Sequence, residues 1–164
     1  MNAACKFYMQ ALQNAEHNTE VAYLHLITAG ELLSGEFRYA DTKGVKKKFV
    51  RVLCSLTDDA FYVNTGEGRG HGRFTRDNVE SSIAAAYDLR SRYLHTGSPF
   101  GMWVDPARGI ASSDLQVGRP VVEDRRLAAV LAAAPTFTGL ERLVRYCVLR
   151  FMVSRGLLVR DSTP

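Results

Sequence analysis

The chain has 164 residues, 46% of them apolar and 23% charged, which excludes a disordered polyelectrolyte and suits one domain with a sizeable core. No apolar run approaches the ~18–20 residues that cross a bilayer, and the first residues, MNAACKFYMQALQNAEH, lack the compact apolar core of a secretion signal. A net charge of +4 permits a polyanionic partner without requiring one.

In chain order, Phe7, Tyr8, Ala11, Leu12 and Ala15 are spaced for one face of a helix over residues 3–15. Asn18 or Thr19 is placed to cap a second helix with Glu20 in its first turn, ended by Ser34 and Gly35. Gly30 inside it marks either a cost or a close packing site. A third helix runs from Val45 to Leu56. The stretch Thr65 to Phe74 holds four glycines in ten residues and predicts irregular backbone. Thr75 reads as the cap of a fourth helix that continues through Leu94 and ends at Gly97.

Residues 97–122 are rich in Gly and Pro, exceed the usual ~4–6-residue connection, and leave a lid, a hairpin and a loose loop as alternatives. Trp103 reads as the anchor of that segment. A helix from about Val121 to Ala134, stopped by Pro135, and another from about Thr138 to Arg155 complete the chain. The pattern predicts an all-α bundle of five to six helices with the long loop before the last two, and one domain over 1–164, alone or as the C-terminal part of a longer protein.

Cys5, Cys54 and Cys147 are odd in number and widely spaced, so reduced thiols of a cytoplasmic protein are expected rather than disulfides or a metal site. His17 and His25 lack metal-ligand spacing, and no cofactor motif is present.

The richest chemistry lies in YDLRSRYLHTG, Tyr87 to Gly97, where Asp88, Arg90, Arg92 and His95 crowd a helix end. Asp88 and Arg92 are spaced to pair. Arg90 and His95 stand about 140° apart on an ideal helix, so they converge only if the last turn distorts or a second copy completes the site. The plain alternative makes the arginines surface charges favoured near a helix C-terminus and His95 a capping residue.

This segment resembles the signature of the HEPN superfamily, the higher-eukaryote and prokaryote nucleotide-binding helical domains: an arginine, a short spacer and a histidine near a helix end. Arg90 and His95 fit that spacing. The form YDLRS followed by H-x-G is closest to the Apea-like branch. FYMQAL (Phe7 to Leu12) and AYLHLITAGELL (Ala22 to Leu33) resemble that branch's first two helices, with Glu31 at its acidic position. The basic third helix and LERLVRYCVLRFM (Leu140 to Met152) follow in the same order, so the resemblance covers most of the chain.

The resemblance implies metal-independent RNA cleavage that leaves a 2′,3′-cyclic phosphate, in a cytoplasmic homodimer with no cofactor. Arg90 and His95 are the implied catalytic pair. His95 would handle the 2′-hydroxyl proton or the leaving 5′-oxygen, and Arg90 would stabilise phosphate charge in the transition state. Two facing motifs would supply both acid and base. Tyr87, Asp88, Ser91, Arg92 and Glu31 are the implied supporting residues. Many active members carry Asn, Asp or His where Ser91 stands, whereas Apea-like members often have Ser. Defence or toxin roles, with an antitoxin or regulator as a further partner, belong to the same implication. The alternative is a non-catalytic module for dimerisation, nucleotide binding or partner interaction.

Two basic stretches are further candidates for RNA contact. Lys46, Lys47, Lys48 and Arg51 lie on the third helix, and Arg69 and Arg73 lie in the glycine-rich stretch. A solvated helix face and a mobile loop explain them equally simply.

Overall fold

The computed structural model describes residues 1–38, 43–66, 71–105, 113–118 and 120–157. The described residues are helical throughout, apart from connecting turns and one isolated bridge between Leu115 and Pro135. The helices are α1 (Asn2–Asn14), α2 (Thr19–Gly35), α3 (Val45–Leu56), α4 (Asp59–Thr65), α5 (Val79–Thr96), α6 (Gly101–Val104), α7 (Arg125–Ala133) and α8 (Phe137–Ser154). The all-α expectation therefore holds, while the expected five to six helices become eight among the described residues. The additional ones are short. Among the described residues, no helix is long and apolar enough to cross a membrane.

Local chemistry sets most boundaries. Asn18 accepts a hydrogen bond from the Val21 amide at 3.0 Å, and Asp124 accepts from Arg126 and Leu127, so α2 and α7 start where a side chain satisfies their free amides. Thr136 does the same for α8 through the Gly139 amide. Thr75 does not cap α5 directly. It exchanges hydrogen bonds with Asn78, closing a turn, and the helix begins after it at Val79. Asp58, which the periodicity did not mark, caps α4 through the Phe61 amide.

α2 is the central helix. It buries Ala22, Tyr23, Leu26, Ile27, Ala29 and Leu33 and packs against α1, α3, α5, α6 and α8. Gly30 resolves as a close packing site: a Cβ there would lie 2.7 Å from Cε2 of the fully buried Phe49 on α3. The Phe49 ring in turn stacks at a tilt on Tyr87 of α5, with centroids 5.4 Å apart. α2, α3 and α5 are thus joined at one level of the bundle.

The 97–122 segment is not one loop. It holds α6 near its start, where the amides of Phe100 and Gly101 donate to Glu20 of α2, and Trp103 packs partly buried against the core. Further on, Asp114 is buried. Its carboxylate accepts from the Phe74 amide and pairs with Arg142 at 2.6 Å, while its carbonyl accepts from Thr136. This single residue ties the segment to the start of α8 and to the chain leading into α5.

Candidate functional site

α5 carries the segment singled out by sequence, and it stays regular to its end. The Gly97 amide donates to the Tyr93 carbonyl at 2.8 Å, and Gly97 takes the left-handed conformation (φ 66°) that ends a helix without a Cβ clash. Gly97 therefore does the capping assigned to His95 in the plain reading. The last turn shows no distortion, so Arg90 and His95 stand on faces about 140° apart, separated by roughly 7.5 Å of rise.

Arg90 points at α2. Its Nη2 lies 3.0 Å from Oε2 of Glu31, and the two side chains are 24% and 16% exposed. The guanidinium carbon sits 5.4 Å from the Tyr87 ring centroid. The Tyr87 hydroxyl hydrogen-bonds Glu31, and burial, reinforced by that carboxylate, holds its pKa above the ordinary phenol value. Glu31, Tyr87 and Arg90 form one polar cluster, positioned by the helix approach at Gly30. Its effect is to fix the guanidinium plane while part of its donor set still faces outward.

His95 is different. It is exposed in the last turn and makes no hydrogen bond, ion pair or ring contact among the described residues. The polar surface beside it comes from Thr96, whose hydroxyl bonds the Arg92 carbonyl and Ser98. Its neighbour Leu94 is 58% exposed, an unusual position for a leucine inside a packed helix.

The other implied residues part company. Asp88 and Arg92 do not pair with each other. Asp88 binds Lys46 of α3 at 2.6 Å, and Arg92 binds Asp124 at the start of α7. Each long-range partner is presented by a packed neighbouring helix, whereas a local pair would need both side chains to bend along α5. Asp124 is held below the usual carboxylate range first by the Leu127 and Arg126 amides and then by Arg92. Ser91 is half-buried. Arg90 and His95 thus share a helix but no contact within one chain.

Of the basic candidates, Lys46 is committed to Asp88, Lys47 and Arg51 are exposed, and Lys48 is half-buried. Arg73 turns towards the buried Asp114, 4.0 Å away. Arg69 lies outside the described residues. His25 packs edge-on against Phe7, with its Nδ1 buried. Cys147 is buried and Cys5 and Cys54 half-buried; all three thiols are free. Among the described residues, no group of three His, Cys, Asp or Glu side chains gathers to hold a metal ion. Sequence reasoning missed Asp114, which carries no local signal beyond a Ser-Asp pair in a loop.

No family model, curated protein or solved structure matches this chain.

Proposed function

We propose that this chain is a metal-independent endoribonuclease of the HEPN kind, working as a homodimer with Arg90 and His95 of both protomers at one interface cleft. One observation carries the reading. Three residues that the resemblance drew from two separate helices, Glu31, Tyr87 and Arg90, form a single cluster, and His95 stands exposed on the helix that bears Arg90.

In this reading Glu31 orients Arg90 so that its outward N–H donors meet the non-bridging phosphate oxygens. One protomer's His95 accepts the 2′-hydroxyl proton as the 2′-oxygen attacks phosphorus. The partner's His95 protonates the departing 5′-oxygen. The products are a 2′,3′-cyclic phosphate and a free 5′-hydroxyl, with each proton accounted for. The exposed Leu94 supplies apolar contact at such an interface, and dimerisation brings together what the regular α5 helix keeps apart.

A second reading rests on the same cluster. Glu31 neutralises Arg90, as it would in a purely structural ion pair, and the chain would then be a non-catalytic interaction module. Incubation with total RNA in EDTA separates the two. The ribonuclease reading expects fragments ending in cyclic phosphate, with rates falling about 100-fold or more in Arg90→Ala and His95→Ala while circular dichroism is unchanged. Intact RNA with the wild-type dimer, or cutting by both variants at the wild-type rate, would support the module.

A further inference from the structure

A cleft of about 600 Å³ opens between α3 and the first half of α5, lined by Lys46, Lys47, Val50, Arg51, Cys54, Glu80 and Ala84. It lies apart from the cluster around Arg90: Glu80 and Ala84 precede Arg90 by roughly 15 and 9 Å along the helix axis. Its size falls within the ~300–1,000 Å³ of small-molecule sites and exceeds what a bare phosphate or carboxylate needs.

The lining has two chemical halves. α3 contributes three cations, and Val50, Cys54 and Ala84 contribute apolar surface. Burial raises the Cys54 thiol to about 11, so it stays neutral and presents sulfur as part of that surface rather than as a nucleophile. The one carboxylate, Glu80, belongs to α5 and repels an anionic head towards the α3 side. Lys47 has no hydrogen-bond or ion-pair partner among the described residues, and Lys46 is shared with Asp88.

We propose that this cleft binds a small amphiphilic anion, its phosphate or carboxylate head on Lys47 and Arg51 and its apolar body on Val50, Cys54 and Ala84. The head competes with Asp88 for Lys46, so binding draws on the pair that ties α3 to the helix bearing Arg90. The inference does not depend on RNA cleavage.

Calorimetric titration of the full chain with adenosine monophosphate, decanoate and inorganic phosphate tests it. Saturable one-site binding of the nucleotide or of the fatty acid is expected, and which of them binds tells whether the body is planar or a chain. Phosphate alone should bind at least about tenfold more weakly. Ala84→Trp fills the cleft and Lys47→Glu reverses its charge. Each should weaken binding about tenfold or more, and Lys47→Glu sits at an exposed position that keeps the fold intact. Asp88→Asn frees Lys46 and should tighten binding about two- to fivefold. The proposal is overturned if neither amphiphile binds, if phosphate binds as well as they do, or if Lys47→Glu leaves affinity unchanged.

Discussion

Replacing Glu31 with alanine removes the carboxylate from a half-buried cation and leaves the rest of the bundle in place. Arg90 is 24% exposed and Glu31 16%, between the surface and the interior. Exposed pairs contribute ~0–1 kcal/mol, and breaking a fully buried pair costs ~3–5 kcal/mol because a charge is stranded. The expected loss is therefore about 2 kcal/mol, since the stranded guanidinium still reaches water and the Tyr87 face. For a chain of this size that corresponds to a fall of roughly 4–8 °C in Tm. Arg90→Ala should cost less, because the freed Glu31 keeps the Tyr87 hydroxyl as donor. Urea unfolding of both single variants and the double variant, followed by far-ultraviolet circular dichroism, gives the coupling directly. A coupling of about 1–2 kcal/mol is expected. If the two effects add within about 0.3 kcal/mol, the cluster does not act as a unit and the positioning role of Glu31 fails.

Gly30→Ala should destabilise by about 1–2 kcal/mol net, despite alanine's better helix propensity, because the new methyl meets the buried Phe49 ring; equal or higher stability in urea would contradict the close approach. Asp114→Asn removes the charge that faces the part-exposed Arg142 and should cost about 2 kcal/mol, read as a lower urea midpoint. Asp58 is held below the ordinary carboxylate range, first by the Tyr146 hydroxyl and also by the Phe61 amide and Arg150. A depressed carboxylate stabilises above its unfolded pKa of about 3.9 and loses that contribution as pH falls through the folded value. Asp58→Asn should therefore flatten the acid side of the stability profile below about pH 4, and an unchanged slope there would count against the ionised cap.

How much of the fold and site was legible in sequence divides along a physical line. Caps and apolar periodicity are local, so Asn18, the start of α3 at Val45 and the Gly97 stop were readable from neighbouring residues. α4 was missed because seven residues hold too few apolar positions to show a period, although Asp58 ahead of Phe61 was a capping signal in plain view. α6, at four residues, had no period to show. Ion-pair partners were the least accessible, because they depend on which helices meet. Spacing suggested Asp88 with Arg92, whereas packing gave each a partner on another helix, and Asp114 found its arginine only through the fold. Glu31 entered the candidate site through the resemblance alone; nothing in the spacing of residues 22–33 connects it to Arg90.

The central claim is that catalysis needs histidines from two protomers in one cleft. It is tested most directly by mixing wild-type chain with His95→Ala chain, allowing exchange, and measuring RNA cleavage against the wild-type fraction at constant total protein. A composite site predicts that activity falls with the square of that fraction, because mixed dimers lack one of the two proton-transfer groups. A linear fall would place a complete site within each chain and contradict the account.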